Sequence, residues 1–217
     1  MIDLKLNLKE GRPLTILCLG AHSDDIEIGC GGTILRLIGD YPEARIHWVV
    51  FSALGVRKDE AWQGAEFFAG PEHIETLLLH EFLDGFMPYQ GEQVKRVFEE
   101  LKQLVSPDLI FTHRRDDAHQ DHRLLSELTW NTFRNHLVLE YEIPKYDGDM
   151  GAPSVFAPLD QAICERKIDH LLKAFESQRS KHWFDRNVFL GLMRLRGMEC
   201  NSTSGYAEAF YARKVVI

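Results

Sequence analysis

The sequence lacks the features that mark several large protein classes. Its 4 cysteines lie far apart and form no CxxC pair, which argues against a disulfide framework. No uncharged apolar run approaches the roughly 20 residues that a membrane span needs. The segment MIDLKLNLKEGRP has neither the apolar stretch nor the small-residue cleavage site of a secretory signal. These absences predict reduced thiols and a cytoplasmic location.

An excess of positive charge is also missing. Lys and Arg total 25 against 33 Asp and Glu, so the formal charge is -8, whereas nucleic-acid-binding proteins usually carry a basic footprint. The hydrophobic fraction of 45% and the charged fraction of 27% match soluble globular proteins rather than disordered ones. No repeat, low-complexity tract or linker divides the 217 residues, so a single domain over 1–217 is predicted.

Short apolar runs alternate with amphipathic stretches along the chain. The apolar runs predict strands over 14–20, 46–51, 74–79, 109–112 and 138–143. The amphipathic stretches predict helices over 31–38, 59–68, 93–105, 122–135, 159–178 and 183–197, and 146–158 is predicted as a surface loop. This alternation predicts an α/β fold with a mostly parallel sheet flanked by helices, in which ligands bind beyond the carboxyl ends of the strands.

Two polar clusters follow the first and fourth predicted strands. The first reads AHSDDIEIGCGGT and the second reads HRRDDAHQDHR. Imidazole and carboxylate groups together are a normal ligand set for zinc and other first-row divalent metals. His22 and Asp25, three residues apart, can converge on one ion, with His122 or His119 as the candidate third ligand. Asp24 lies beside them, where it can take a proton from metal-bound water.

Other functions also fit parts of these clusters. The glycines of Gly29-Cys30-Gly31-Gly32 suggest a phosphate-binding turn and a nucleotide-dependent transferase, although their spacing does not give G-x-G-x-x-G. Non-haem iron oxygenases also use two His and one carboxylate, but usually on β-barrels. Asp116 and Asp117 fit helix caps as well as they fit chemistry. His113 fits a simple strand end equally well.

The two clusters resemble the signatures of one known family. AHSDDIEIGCGGT resembles the AHPDDE-x-x-GCGGT motif of the PIG-L/LmbE-like N-acetylglucosamine deacetylases, and DAHQDHR resembles their later His-x-Asp-His motif. Tyr206 to Phe210 is similar to the C-terminal segment of the family, so the resemblance covers about residues 14–213. Two positions depart from the pattern, because Ser23 replaces the usual proline and Ile26 replaces a frequent glutamate.

The resemblance implies a Rossmann-like, three-layer α/β/α fold and a specific reaction. The protein would be a zinc-dependent hydrolase that removes the N-acetyl group from an N-acetylglucosamine-type amino sugar or glycoconjugate and releases acetate. Iron or cobalt could take the place of zinc. The resemblance implies zinc ligands at His22, Asp25 and His122, a general base at Asp24, an oxyanion stabiliser or proton donor at His119, and a partner for the His119 ring at Asp121.

Less specific expectations follow from the same resemblance. Arg57 is similar to an arginine after the second strand of the family and is a candidate contact for a sugar hydroxyl or phosphate. The segment from Tyr141 to Pro158 is a candidate wall or lid of the sugar pocket, or a plain connecting loop. A homo-oligomer is expected. The alternative of another class is a metal- or sugar-binding protein of the same fold without hydrolytic activity.

Overall fold

The computed structural model describes Leu6, Leu8 and residues 11–216. The strands are β1 (Thr15–His22), β2 (Arg45–Ser52), β3 (Ile74–Leu79), β4 (Leu109–His113), β5 (Leu137–Tyr141), β6 (Val155–Leu159) and β7 (Tyr206–Ala212). The helices are α1 (Asp25–Asp40), α2 (Val56–Ala69), α3 (Gly91–Leu104), α4 (Gln120–Thr132), α5 (Gln161–Ala174) and α6 (Arg186–Glu199). Short 3₁₀ helices span Met87–Gln90 and Glu176–Gln178.

The strands form one sheet in the order β3-β2-β1-β4-β5-β7-β6. Strands β1 to β5 pair in parallel, while β7 is antiparallel to both of its neighbours, β5 and β6. The predicted α/β fold with a mostly parallel sheet is therefore confirmed.

Side chains on both faces of the central strands β1, β2 and β4 are buried, which explains why these strands read as continuous apolar runs. In β1, Ile16 and Cys18 join the core beneath α1, α2, α5 and α6, whereas Leu17 and Leu19 join the core beneath α3 and α4. The fold therefore has two helical layers with the sheet between them.

The strand order reverses between β1 and β4, which are adjacent in the sheet. The helices that follow these two strands cover opposite faces, because α1 belongs to one core and α4 to the other. A crevice opens at such a reversal, beyond the carboxyl ends of the two strands. His22 ends β1 and His113 ends β4, so both polar clusters of the sequence reach this crevice.

The glycine-rich segment is helical, which corrects the predicted start of the first helix. Helix α1 begins at Asp25 rather than at Gly31 and includes the whole segment. A Cβ at Gly29 would overlap the ring of Tyr141, and a Cβ at Gly31 would lie 2.7 Å from the ring of Phe68. The glycines therefore allow close packing of α1, and they do not form the phosphate-binding turn that a nucleotide-dependent transferase would need.

The C-terminal half contains two strands that the sequence pattern did not predict. Strand β6 lies partly within the predicted loop 146–158, and β7 completes the sheet between β5 and β6. Pro158 is tolerated in β6 because this strand lies at the edge of the sheet. Helix α5 ends at Ala174, earlier than predicted. No helix within the described residues is long and apolar enough to cross a membrane.

Candidate metal centre

Three predicted ligand side chains converge at the crevice between β1 and β4. His22 Nδ1 lies 3.3 Å from Asp25 Oδ2 and 3.2 Å from His122 Nε2. His122 Nε2 lies 3.5 Å from Asp25 Oδ1. All three residues are buried, at the end of β1, in the first turn of α1 and in the first turn of α4.

The outer nitrogens of both imidazoles face carboxylates. His22 Nε2 lies 3.1 Å from Asp84 Oδ1 and 3.3 Å from Asp121 Oδ2. His122 Nδ1 lies 3.0 Å from Asp117 Oδ2. Because a carboxylate accepts hydrogen bonds, neutral rings carry their protons on these outer nitrogens. The inner nitrogens, His22 Nδ1 and His122 Nε2, then direct lone pairs toward each other and toward Asp25.

This donor set fits a divalent metal. Two lone pairs and a carboxylate at such distances repel one another unless a proton or a metal cation lies between them. Zinc bonds to nitrogen and oxygen of 2.0–2.1 Å place tetrahedral ligand atoms about 3.3 Å apart, which matches the observed separations of 3.2, 3.3 and 3.5 Å. The partners on the outer nitrogens are those that metal-binding histidines normally have.

Burial and mutual charge shift the pKa values of these groups strongly. Burial and the neighbouring His113 lower the pKa of His122 to about 3, so its ring is neutral near pH 7. Burial opposes the charged form of His22, but Asp25 and Asp121 raise its pKa well above the ordinary value, so a metal bound there would displace a proton from this ring. Burial favours the protonated form of Asp25, but the imidazoles of His122, His113 and His22 hold its pKa well below the ordinary value. Asp25 is therefore an ionised carboxylate, as a metal ligand must be.

His113 also lies at this corner, but its lone pair is already engaged. Its Nε2 accepts a hydrogen bond of 2.9 Å from the backbone N–H of Ala21 and lies 3.3 Å from Asp25 Oδ2. The ring stacks on His122 with 3.9 Å between ring centroids. The inner nitrogen of His22 faces only His122 and Asp25 and accepts no backbone hydrogen bond among the described residues, so His22 is a better ligand than His113. His113 supports the ring of His122 from behind.

Asp24 lies beside the three converging side chains at the N-cap of α1, but its carboxylate caps no backbone N–H. Its Oδ1 lies 3.6 Å from Arg57 Nη2, and Arg57 Nη1 lies 2.7 Å from Asp84 Oδ2. Burial, and next the charge of Asp25, raises the pKa of Asp24 to about 6. A carboxylate with this pKa accepts a proton more readily than an ordinary aspartate.

The contacts of Asp121 differ from those that the resemblance implies. Its carboxylate accepts hydrogen bonds from the backbone N–H groups of Gly85 and Met87, at 2.7 and 3.1 Å, and faces His22. The ring of His119 instead accepts at Nδ1 from the backbone N–H of Asp121, at 3.3 Å. The sequence separation of two residues explains the difference, because the Asp121 side chain projects from the first turn of α4 toward β1.

Ile26, at the position of the family glutamate, and the neighbouring Glu27 are both buried. Ile26 is fully buried and packs against Gly20, so the substitution places an apolar residue in the core. Glu27 turns instead toward Gly64 of α2. Its carboxyl group has no hydrogen-bond partner among the described residues, and burial raises its pKa well above the ordinary value. Glu27 therefore does not replace the glutamate at the site.

Sequence reasoning missed two residues of the site and left a third undecided. Asp84 was missed because it comes from the loop after β3, which carries no motif. Lys145 was missed for the same reason, although it contacts Asp117. The sequence pattern favours a helix cap and a chemical role equally for Asp117; its place in the DAHQDHR motif is the available signal for the chemical role.

The sequence model of the PIG-L family, described as GlcNAc-PI de-N-acetylase, matches residues 17–133. This match covers more than half of the chain and includes both polar clusters. The chain belongs to the PIG-L family. The resemblance inferred from the two motifs is thus confirmed, and membership supports a hydrolytic deacetylase.

Solved structures share the fold of this PIG-L family member at low sequence identity. The conserved protein TT1542 from Thermus thermophilus has a TM-score of 0.72 at 21% identity, with 94% of this chain and 96% of that chain covered. N,N'-diacetylchitobiose deacetylase from Pyrococcus horikoshii has a TM-score of 0.67 at 17% identity, with 96% and 87% covered. GalB from Pseudomonas putida KT2440, the 4-carboxy-2-hydroxymuconate hydratase, has a TM-score of 0.73 at 16% identity, with 94% and 98% covered.

Proposed function

We propose that this PIG-L family protein is a zinc-dependent deacetylase that hydrolyses the acetamide of an N-acetylglucosamine-type sugar or glycoconjugate. The observation that supports the proposal most directly is the convergence of His22 Nδ1, Asp25 and His122 Nε2 within 3.2–3.5 Å. A divalent metal bound there would supply Lewis-acid polarisation of the carbonyl and would lower the pKa of water. Family membership supplies the reaction class.

The surrounding side chains fit the proton transfers of amide hydrolysis. Water adds to the acetamide carbon as Asp24 accepts its proton, and the C–N bond then breaks as the amine gains a proton. The products are acetate and the free amino sugar. The neutral ring of His119 accepts at Nδ1, so its Nε2–H is available to donate to the developing oxyanion or to the leaving nitrogen. Asp121 holds His22 in the proposed assignment, rather than His119.

Arg57 is the proposed substrate-binding residue. Its guanidinium lies between Asp24 and Asp84 at the rim of the site, and 18% of its side chain is exposed. A guanidinium in this position can donate to a sugar hydroxyl or to a phosphate. A cation at the rim therefore favours an uncharged or anionic substrate over a basic one.

The alternative reaction is a hydration. The fold of GalB, a hydratase, covers 94% of this chain, so the fold alone does not fix the reaction class. A hydratase would add water across a carbon–carbon double bond and release no acetate. A binding protein without activity is the remaining alternative. It would not need the base Asp24 beside the metal ligands.

The proposal is tested by measuring acetate release from a panel of N-acetylglucosamine derivatives. The protein is stripped of metal, assayed, and assayed again after reloading with zinc. We expect zinc-dependent release that falls about 10²–10⁴-fold in Asp24→Asn, because general-base catalysis contributes this much. The same panel is extended with an unsaturated dicarboxylic acid to detect hydration.

Asp40→Asn is the matched control, since Asp40 is an exposed aspartate at the other end of α1. It should retain the wild-type rate within a factor of two. Zinc binding by the wild type without acetate release from any derivative, together with hydration of the unsaturated acid, would replace the deacetylase with a hydratase. Failure of the wild type to bind zinc would contradict the proposed metal site itself.

A further inference from the structure

Lys145 is a largely buried lysine in the loop that follows β5. Only 9% of its side chain is exposed, and its Nζ lies 3.0 Å from Asp117 Oδ1. It also lies 2.7 Å from Asp149 Oδ2, on the same loop. Asp149 in turn accepts a hydrogen bond of 2.7 Å from the backbone N–H of Ala118. The lysine therefore ties the loop after β5 to the loop after β4.

Asp117 connects this lysine to the candidate metal centre. Its Oδ2 faces His122 Nδ1 at 3.0 Å, while its Oδ1 accepts from the backbone N–H of His119 at 2.8 Å. Both carboxylate oxygens are thus engaged, and Lys145 is the cation among their partners. Because one carboxylate makes both contacts, a movement of Asp117 away from His122 would also disturb its contact with Lys145.

The orientation of His122 decides whether its lone pair points at the other ligands. A carboxylate on the outer nitrogen of a metal-binding histidine fixes both the ring and its tautomer. Such a carboxylate needs an anchor of its own, and an ammonium group on a buried side chain supplies one. Nothing in the two sequence motifs specifies this anchor, since Lys145 lies more than 20 residues beyond the second motif.

We infer that Lys145 is a positioning residue for the metal ligand His122 and acts through Asp117. The loop after β5 thereby contributes to metal affinity without contacting the metal. This inference rests on the proposed metal site. Its test is therefore a binding measurement that does not depend on the substrate or on the reaction.

The test measures zinc affinity of the metal-stripped protein by competition with a chelator. Lys145→Met keeps the aliphatic stem and removes the ammonium, and Asp117→Asn keeps the shape of the carboxylate. We expect affinity to fall about 10-fold in Lys145→Met and about 10- to 100-fold in Asp117→Asn, the usual range for outer partners of metal ligands. In the double variant, losing Lys145 should add less than about threefold to the effect of Asp117→Asn.

Two further variants separate positioning from general loss of structure. Lys145→Arg retains a cation and should keep affinity within about threefold of the wild type, even if Lys145→Met unfolds at a lower temperature. Lys95→Met removes the same charge at a pair with Glu99 and should not change affinity. Lys95 also contacts Thr132, which lies about 15 Å along α4 from His122 at 1.5 Å per residue.

The outcomes distinguish the inference from the proposed function. Wild-type zinc affinity in Lys145→Met, or effects of Lys145→Met and Asp117→Asn that add fully, would overturn the positioning role while leaving the metal site intact. Equal losses in Lys145→Met and Lys95→Met would overturn it as well. A wild-type protein that binds no zinc would overturn the metal site, and the positioning role with it.

Discussion

Buried charge occurs in two regions of the molecule: the helical layer that contains α1 and α6, and the crevice between β1 and β4. The two regions arrange this charge differently. Near α6, Arg196 Nε and Nη2 donate to the two oxygens of Glu142 at 2.9 and 2.7 Å. Near α1, Lys167 Nζ lies 2.6 Å from Glu208 Oε1, and Glu208 also accepts from the backbone of α1. Each of these two buried carboxylates meets a cationic donor, so both are paired within the helical layer.

The crevice between β1 and β4 has the opposite arrangement. There, two imidazole lone pairs and one carboxylate point at the same small volume, and the partners of the two rings lie on the outer side. Buried charge by itself therefore does not mark a functional site in this protein. The convergence of three metal-ligating groups distinguishes the candidate metal centre, because one divalent cation satisfies all three groups whereas one proton joins only two.

Breaking a buried ion pair of the helical layer should lower the stability of the fold without changing the candidate metal centre. In Arg196→Met, Glu142 loses its buried partner, and removing one member of a buried ion pair costs about 3–5 kcal/mol. At roughly 2–4 °C per kcal/mol for a chain of this size, the melting temperature should fall by roughly 6–20 °C. Zinc affinity of the folded protein should stay within twofold of the wild type. Thermal unfolding measures the melting temperature, and chelator competition measures the zinc affinity.

Arg186→Met is the control for this variant on the same helix. Arg186 pairs with Glu165 and Asp169, but its side chain is 40% exposed. Exposed ion pairs contribute about 0–1 kcal/mol, so the free energy of unfolding should change little. The comparison between the two regions fails if Arg196→Met reduces the free energy of zinc binding by as much as it reduces the free energy of unfolding.

A methyl group at Gly29 should disturb both regions together. Gly29 lies in α1 against Tyr141, whose hydroxyl lies 3.2 Å from His113 Nε2 behind the candidate metal centre. Overpacking of a core costs about 1–3 kcal/mol, so Gly29→Ala should lower the free energy of unfolding by that amount. We also expect weaker zinc binding, measured by chelator competition.

Gly39→Ala makes the same change in the same helix without the contact. No atom lies within 4 Å of a Cβ at Gly39, so the substitution should stabilise the helix by up to about 1 kcal/mol. Equal free energies of unfolding for the two variants would show that α1 does not pack as tightly on Tyr141 as described.

The smallest expected effect concerns the rim of the site. Arg57→Gln replaces a charged donor at the partly exposed rim with a neutral one, and a typical hydrogen bond contributes about 0.5–1.5 kcal/mol. We expect KM for acetate release to rise about tenfold, with kcat changed less than threefold. Lys58→Gln is the neighbouring control, since Lys58 pairs with Glu81 at 2.9 Å and is half-exposed. A fall in kcat without a change in KM would assign Arg57 to Asp24 rather than to the substrate.

The sequence predicted the parts of the fold that depend on local pattern. The five parallel strands are apolar runs, and the strand-end clusters follow from them, so His22, Asp25 and His122 could be placed at one edge of the sheet. The start of α1 was missed because glycines normally end or interrupt helices. Here, Tyr141 and Phe68, which are distant in sequence, require the absence of side chains at Gly29 and Gly31.

The outer partners of the site could not be predicted from local pattern. Asp84 and Lys145 come from loops after β3 and β5, and only the sheet order brings these loops beside β1 and β4. Strand β7 was missed for a similar reason, because its pairing with β5 and β6 depends on contacts far along the chain. The placement of Asp121 shows the same limit, since a motif gives residue identity but not the direction of a side chain.

The position of β7 has a consequence for the order of folding. β6 pairs with β7 in the sheet, so it has no place there until the much later residues of β7 have been synthesised. Glu208 of β7 also accepts from the backbone N–H groups of Gly32 and Thr33, at 2.9 and 2.7 Å. During synthesis, the packing of α1, which carries Asp25, is therefore complete only after β7 has been made. A ribosome-bound chain that stops short of β7 should form the five parallel strands β1 to β5 but not a complete candidate metal centre.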